Sequence, residues 1–331
     1  MERLWLDSIL RVDAPPITLA HPRSRLYTTP AVSTRFKADL ALGACTLVWG
    51  ATFVLVKNAL HDASVFAFIA TRFVISTALM AAIFWRPLRK TTRAEIRAGA
   101  TIGFLMFSGY VFQTVGLLST TPSKAAFITG SSVAMVPILH GIFWRSRIGL
   151  WVWAGAASAL AGLYLLTVPK SGLTGLNHGD LLVGGCAVAF ALHILFVGHF
   201  SPKYSTGALS FHQVAATAAL SLIALPIVTL TGWEPFRFRL MPELILALVV
   251  TAAFATAFAF SVQVWAQKHT TPSHTAILFS LEPVFAGLTS FLFFGERLST
   301  RAFIGAALIL AGIILAEMKG PAPAATESPV Q

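Results

Sequence analysis

The chain has 331 residues, of which 56% are hydrophobic and only 11% are charged, and its mean hydropathy is +0.75. Soluble domains carry about 25% charged residues, so this composition excludes an ordinary water-soluble fold. The net charge of +11 comes from Lys and Arg in short loops and near the N-terminus, and it therefore indicates membrane topology rather than a nucleic-acid surface.

The two ends of the chain differ from the apolar region between them. Residues 1–37 contain several prolines and charges, which interrupt any apolar stretch long enough for a signal peptide. We expect a disordered cytoplasmic tail there, or a mis-assigned start. Residues 319–331 predict a second disordered tail. Between the tails, residues 38–168 and 180–318 are predicted to form two related units.

Apolar stretches long enough to cross a membrane recur between the tails. Because a backbone in lipid must satisfy its own hydrogen bonds, each stretch is predicted to be a helix. Dividing the chain at the polar, Pro or Gly positions between these stretches predicts ten spans. They cover residues 39–60, 65–85, 97–118, 125–144, 148–168, 180–199, 207–230, 243–265, 274–294 and 302–318. The predicted fold class is therefore all-α integral membrane, with ten transmembrane helices.

The distribution of Lys and Arg among the short loops predicts orientation, because positively charged loops stay on the cytoplasmic side. The second and fourth loops are the most basic, with Arg86, Arg89, Lys90, Arg93, Arg97, Arg145 and Arg147. An even number of spans then places both termini in the cytoplasm, in the cell (cytoplasmic or inner) membrane. The second half gives a weaker signal, because Arg237, Arg239, Arg297 and Arg301 fall outside.

The two halves of the chain share residues at constant spacing. At an offset of 141 residues the matches include Asp39 with Asp180, Cys45 with Cys186 and Arg72 with Gln213. At an offset of 150 they include Gln113 with Gln263, residues 120–123 with 270–273, and Gly155 with Gly305. Because each unit has five spans, the second copy must enter the membrane from the opposite side. The sequence therefore predicts two inverted five-helix repeats, an architecture of alternating-access carriers.

Ionisable residues inside a span cost about 2.5 to 3.5 kcal/mol on insertion scales, so each indicates a partner or an aqueous cavity. Glu282 lies in the ninth span beside Pro283, where a kink would free a backbone carbonyl. Its carboxylate either binds a cationic group or a proton, or pairs with Lys57 or Arg72 to hold helices together. Arg72 either attracts an anionic group or is structural, and Lys57 is predicted to be an interfacial anchor.

Polar and aromatic residues near mid-span define the predicted substrate cavity. Gln113 and Gln263 are matched positions, and Tyr110 shares the helix face of Gln113; they either line a cavity or bond between helices. His193 is either a proton-linked cavity residue or a packing residue. The predicted cavity and translocation residues are Trp49, Phe53, Tyr110, Gln113, His193, Gln213, Gln263 and Glu282.

The sequence offers little that points to catalysis. Its two cysteines lie in apolar stretches, without metal-ligand spacing. No phosphate-binding loop or nucleophilic triad stands out either, so we expect no catalytic residue, no metal and no cofactor. The expected partners are a small-molecule substrate, the lipid bilayer and a coupled proton or exchanged solute. Small residues in the fifth and tenth spans, such as Gly155 and Gly305, predict scaffold or dimer contacts in a monomer or homodimer.

Several motifs resemble the EamA branch of the drug/metabolite transporter superfamily. They are Trp49-Gly50, Arg72-Phe73, Gln113-Thr114, Gly179-Asp180-Leu181 and the run from Leu281-Glu282-Pro283-Val284-Phe285 to Gly295-Glu296-Arg297. The resemblance covers about residues 37–318. It implies ten helices, cytoplasmic termini, no ATPase, and transport of amino acids or other small metabolites, often outward.

These observations together predict a secondary carrier of small polar or amphipathic metabolites, not an enzyme. The carrier would be an exporter working by alternating access, with the direction implied by the resemblance alone. Two alternatives stay open at this point. One is a passive facilitator or channel, whose flux would neither saturate nor show counterflow. The other is an intramembrane enzyme acting on lipid, which would need a water-accessible catalytic pair.

Overall fold

The computed structural model describes residues 33–168, 172, 177–285, 288 and 299–318, and it contains helices but no strand in that part of the chain. Eight helical stretches, three of which join consecutive helices, are long and apolar enough to cross a membrane, and a shorter apolar helix covers Thr300–Ala316. The protein is therefore a multi-pass, all-α membrane protein. The end of the predicted ninth span, the Gly295-Glu296-Arg297 motif and most of both predicted tails lie outside the described residues.

The helices of the first half are α1 (Thr34–Gly50), α2 (Thr52–Ala59), α3 (Val65–Ile83), α4 (Trp85–Leu88), α5 (Arg93–Ser119), α6 (Pro122–Gly130), α7 (Ser132–Trp144) and α8 (Leu150–Thr167). Those of the second half are α9 (His178–Phe200), α10 (Thr206–Leu230), α11 (Pro242–Val249), the π-helical segment Val250–Phe258, α12 (Ala259–Ala266), α13 (Pro272–Phe279) and α14 (Thr300–Met318). The span-length helices agree with the first eight predicted spans to within a few residues.

Several spans are interrupted near their middle. The first span changes from α1 to α2 at Ala51, and the fourth changes from α6 to α7 at Ser131. The ninth breaks after α13, at Ser280 and Leu281, before the chain becomes helical again at Glu282. The breaks in the fourth and ninth spans fall at matched positions of the two halves. Such interruptions free backbone groups, which a membrane protein tolerates where a cavity or polar side chains satisfy them.

Local sequence explains where the short helices α6 and α13 begin. Each begins within a Thr-Thr-Pro-Ser motif, in which the second Thr caps the helix and Pro occupies its first turn. The Thr121 hydroxyl accepts a hydrogen bond from the amide of Lys124 at 3.2 Å, and Thr271 accepts one from His274 at 3.2 Å. The repeated motif thus starts two equivalent half-helices that both run towards the breaks.

Helices α8 and α14 pack closely along a face of small residues. A Cβ placed on Gly162 would lie 2.5 Å from the Gly305 carbonyl oxygen, and one on Gly155 would lie 2.6 Å from that of Gly312. Gly155 and Gly162 therefore meet their partners in reverse order, so the two helices run antiparallel. The hydroxyl of Ser158 also donates to the Leu308 carbonyl at 2.8 Å. The small residues predicted for scaffold or dimer contacts are thus used for packing within the chain.

The segment between α10 and α11 holds the start of α3 in place. The Glu234 carboxylate accepts hydrogen bonds from the amides of Val65 and Phe66, at 2.6 and 3.2 Å, where an acidic group complements the helix dipole. Arg237 donates to the Leu60 carbonyl at 2.8 Å. Arg237 therefore has a structural partner in the loop that precedes α3.

Candidate functional site

A cavity lies between the middle parts of the spans, next to the helix breaks. The volume open to the centre of a water-sized sphere is about 90 Å³. This space is enough for several water molecules or part of a compact metabolite. Its wall combines apolar rings with polar groups. The polar side chains come from Thr52, Arg72, Tyr110, Gln113, Thr114, Thr129, Ser132, His193, Gln263, Ser280 and Glu282.

The structure brings most of the predicted cavity residues together. Those that line the cavity are Trp49, Tyr110, Gln113, His193, Gln263 and Glu282, and Arg72 lines it as well. Gln213 does not reach the wall. It lies behind His193, and its side-chain oxygen is 3.0 Å from the His193 Nε2. The side chain of Phe53 lies outside the described part of the chain.

Glu282 borders the cavity in the first turn of the helix that follows the break in the ninth span. Pro283 therefore also lies in a first turn, where its missing N–H costs little, instead of kinking a continuous helix. Within the described residues, the Glu282 carboxylate makes no hydrogen bond and no ion pair. The cavity thus contains a carboxylate that the described protein groups leave without a partner.

The two predicted charge partners of Glu282 are engaged elsewhere. Arg72 donates from Nε to the Thr256 hydroxyl at 2.8 Å and from Nη2 to the Tyr110 hydroxyl at 3.1 Å. Lys57 donates to the backbone carbonyls of Leu117 and Thr120, at 3.2 and 2.7 Å, at the end of α5. Lys57 does not line the cavity. The expected alternative, in which Lys57 or Arg72 pairs with Glu282, is therefore not the arrangement in the structure.

Arg72 is buried, with 3% of its surface exposed, and it is held in a fixed orientation. Its guanidinium carbon lies 4.5 Å from the centre of the Tyr110 ring, a distance at which the ring face stabilises a cation. The hydroxyl of Thr256, in the π-helical segment, accepts the Nε hydrogen bond. The π-helical segment and Tyr110 therefore hold a positive charge in a fixed position at the cavity wall.

The matched amides Gln113 and Gln263 both line the cavity, but their surroundings differ. Gln113 donates weakly to the Thr129 hydroxyl at 3.5 Å, across to α6. Gln263 donates to Gln267 at 3.2 Å, and its own carbonyl oxygen is buried without a hydrogen-bond partner among the described residues. An unsatisfied buried acceptor costs about 1 to 3 kcal/mol, so a donor from a bound molecule or a water would be favourable there.

Aromatic rings form much of the remaining wall. Trp49 packs against Phe279 with ring centres 4.9 Å apart and against Phe260 at 5.5 Å. Tyr110 contacts Phe190 at 5.4 Å, with the rings nearly perpendicular. The Trp49 indole N–H donates to the Ala255 carbonyl of the π-helical segment at 2.8 Å, which fixes the ring. The wall therefore suits an apolar or cationic group as well as a polar one.

Sequence reasoning missed several lining residues, although the repeat offset points to some of them. Adding 150 to the position of Tyr110 leads to Phe260, and subtracting it from Glu282 leads to Ser132. Both of these residues line the cavity. Thr129 and Ser280 also line it because the breaks lie beside them, and no feature of a single apolar stretch marks a break.

In the described ranges, no group of three or more His, Cys, Asp or Glu side chains is arranged to hold a metal ion. Cys45 and Cys186 are both buried thiols. The cavity residues offer charges, hydrogen-bonding groups and aromatic rings for binding.

Comparison with known proteins identifies relatives over nearly the whole span-containing region. The model of the EamA-like transporter family matches residues 36–168 and 177–318. An uncharacterized transporter from Archaeoglobus fulgidus is 36% identical over 285 residues, which cover 86% of this chain and 87% of the relative. A WAT1-related chloroplastic protein from Arabidopsis thaliana is 25% identical over 280 residues, covering 81% of this chain and 66% of that protein.

A solved crystal structure also matches the fold, with a TM-score of 0.71 and 22% sequence identity. The match covers 86% of this chain and 98% of that one. At this level of identity the similarity shows a shared helical architecture.

Proposed function

Because the chain belongs to the EamA-like transporter family, we propose that it is a secondary carrier that exports small amphipathic metabolites bearing an amino group, amino acids among them. The carrier lies in the cytoplasmic membrane with both termini in the cytoplasm. It spans the membrane ten times as two inverted five-helix repeats, and it works by alternating access. Proton or solute exchange supplies the energy.

The single observation that carries this proposal is the Glu282 carboxylate, which borders the cavity without a partner among the described residues. An ionised carboxylate inside a membrane needs a compensating charge or a proton. A substrate ammonium group satisfies the first requirement. Because the same carboxylate cannot hold a proton and an ammonium group at once, the two would exchange, and this competition couples their movement.

The rest of the cavity favours an amphipathic substrate. The rings of Trp49, Phe260 and Phe279 suit an apolar body, while Arg72 offers a positive charge for a carboxylate at the cavity wall. The two charges are fixed on different helices and do not neutralise each other directly. A molecule carrying both an ammonium and a carboxylate group could therefore engage Glu282 and Arg72 together.

The architecture supports alternating access. Matched helices α8 and α14 contact each other in antiparallel directions, as an inverted repeat requires. The family model also matches each half of the chain separately, at residues 36–168 and 177–318. In carriers with inverted repeats, interrupted helices at the interface between halves form the substrate site, and the fourth and ninth spans are interrupted at matched positions beside the cavity.

Counterflow in proteoliposomes tests this function. We expect saturable, trans-stimulated uptake of amino-group compounds, compared in pairs with analogues that lack the amine, such as phenylalanine against phenylpropionate. Glu282→Gln should lower this uptake at least about ten-fold, because a hydrogen-bonded charge pair is worth about 1.5 to 3 kcal/mol. The control is Glu243→Gln, because Glu243 is an exposed carboxylate at the start of α11.

Three results would contradict the proposal. Flux that rises linearly with concentration and shows no counterflow would identify a passive facilitator or channel instead. Equal counterflow of compounds with and without the amine would remove the proposed substrate class. Unchanged uptake by the Glu282→Gln protein, with correct insertion, would remove the carboxylate from the mechanism.

A further inference from the structure

Each end of the helical bundle carries a carboxylate in contact with a basic side chain, and the two pairs occupy matched positions of the two halves. At one end, Lys124 Nζ lies 3.3 Å from Asp180 Oδ2. At the other end, His274 Nε2 lies 3.2 Å from Asp39 Oδ1. The repeat offset of 141 residues takes Asp39 to Asp180, and the offset of 150 takes Lys124 to His274. The internal repeat therefore places an equivalent contact at each end of the bundle.

Following the chain through its spans places the two pairs on opposite sides of the membrane. Asp39 lies near the start of the first span and Lys124 near the start of the fourth, so an odd number of crossings separates them. The Lys124–Asp180 pair is therefore the outer pair, and the His274–Asp39 pair is the inner pair, in the orientation with cytoplasmic termini.

Both pairs hold the short half-helices that lead to the cavity. Lys124 belongs to α6 and His274 to α13, which are nine and eight residues long and end at the breaks. Gly130 and Ser280, at those breaks, line the cavity. Each Asp lies near the start of a long neighbouring helix, α9 or α1. Separating a pair would therefore release one end of a half-helix whose other end forms the cavity wall.

The two pairs are built unequally. Asp180 also accepts a hydrogen bond from the Thr120 hydroxyl and shares a capping box with Asn177. Thr270 is the match of Thr120, and its buried hydroxyl has no hydrogen-bond partner among the described residues. The His274 Nε2–Asp39 Oδ1 contact has the distance of an ion pair, in which the imidazole is charged only when it is protonated. The surroundings of the two carboxylates therefore differ at the two ends.

We propose that these pairs are the two latches of the transport cycle: opening the outer end separates Lys124 from Asp180, and opening the inner end separates His274 from Asp39. This inference rests on the proposed carrier function. With both latches closed, the structure corresponds to a state between the two open ones.

The accessibility of the two native cysteines can show which latch is open. Cys186 follows Asp180 by six residues, and Cys45 follows Asp39 by six, which is about 9 Å along a helix. Both thiols are fully buried. Each lies one helical turn before a cavity residue, Phe190 or Trp49. Opening one end should therefore let water and a thiol reagent reach one cysteine and leave the other protected.

The test measures the alkylation rate of each cysteine by a membrane-impermeant maleimide added to one side of the membrane. Cys45→Ser and Cys186→Ser backgrounds isolate each reporter in the full-length chain. Lys124→Met should raise the labelling of Cys186 from the outer side by about ten-fold, the effect of losing one charge-assisted hydrogen bond. His274→Met should raise the labelling of Cys45 from the inner side only. Two further variants exchange the basic residues of the pairs. His274→Lys should slow the labelling of Cys45 from the inner side, and Lys124→His should speed the labelling of Cys186 from the outer side.

The results separate this inference from the proposed function. The latches are overturned if either variant exposes both cysteines equally, which indicates general loosening, or if labelling stays at the level of the unmodified protein. Asp180→Asn and Asp39→Asn repeat the test from the other partner, in case a cation variant fails to fold. Counterflow of phenylalanine by the unmodified protein tests the carrier function on its own. Side-specific labelling without any counterflow would keep the latches and remove the carrier.

Discussion

Arg72 shows how one buried charge can be both a structural and a binding group. Its guanidinium spans Thr256 on the π-helical segment and Tyr110 on α5, and it faces the cavity from α3. A fork of donors in one plane makes these contacts together, and a lysine ammonium cannot reproduce that geometry. The shape of the charged group at this position therefore matters as much as its charge.

We predict that Arg72→Lys weakens both the protein and its transport, although the charge is kept. The Thr256 hydroxyl and the Tyr110 hydroxyl would lose a fixed donor, at a cost of about 1 to 3 kcal/mol for buried groups left without partners. Thermal unfolding in detergent should shift to lower temperature, and the KM for a carboxylate-bearing substrate should rise. Arg93→Lys is the control, because Arg93 is exposed at the start of α5. Equal melting temperatures for the two variants would contradict the prediction.

At the scale of helices, small residues decide which elements approach closely. Gly155 and Gly162 of α8 meet Gly312 and Gly305 of α14, with backbone oxygens within 2.6 Å of where a side chain would begin. The hydrophobic effect does not distinguish helix contact from lipid contact, so close van der Waals packing has to hold such helices together. A methyl group at this contact would push the two helices apart.

We predict that Gly162→Ala destabilises the protein by about 1 to 3 kcal/mol, because the added carbon overpacks a tight interface. Gly184→Ala is a matched control, since nothing lies within 4 Å of its Cβ position in α9. In the control, alanine should be neutral or slightly stabilising, because it is a better helix former than glycine. The measurement is thermal or denaturant unfolding followed by circular dichroism. A Gly162→Ala protein as stable as the control would show that α8 and α14 separate easily.

Helix positions were more predictable from the sequence than the interruptions inside them. Hydropathy locates a span because about 20 apolar residues are needed to cross the membrane, and the first eight spans agree with the helices. The breaks at Ser131 and Ser280 and the π-helical segment Val250–Phe258 leave no such signal. Serine is common within membrane helices as well as at breaks, and the residues of the π-helical segment are as apolar as their neighbours, so tertiary contacts decide the backbone geometry.

The cavity was partly predictable for a related reason. Polar residues within spans, such as Gln113, Gln263 and Glu282, are costly in lipid, and all three line the cavity. Gln213 has the same character, yet it bonds His193 behind the wall. Polarity alone does not separate the two outcomes, because a polar side chain within a span can either line the cavity or bond a neighbouring helix. Serine and threonine at the breaks carry no comparable cost, and only the fold shows that they face the cavity.

At the scale of the whole molecule, the proposal depends on two halves that lie in opposite orientations. The loop after the second span of the first half contains Lys90, and the corresponding loop of the second half contains Leu240. Both side chains are exposed, and the offset of 150 residues relates the two positions. An inverted repeat requires these loops to lie on opposite sides of the membrane, whereas a parallel duplication would place them together.

We predict that cysteines introduced by Lys90→Cys and Leu240→Cys react from opposite sides. In a background with Cys45→Ser and Cys186→Ser, an impermeant maleimide applied to intact cells should label only the Leu240 position. Inverted vesicles should give the reverse result, because the basic loop around Lys90 stays in the cytoplasm. Detergent solubilisation, which should make both sites reactive, controls for local access. Labelling of both loops from the same side would remove the inverted repeat, and with it the physical basis for alternating access through a cavity between the halves.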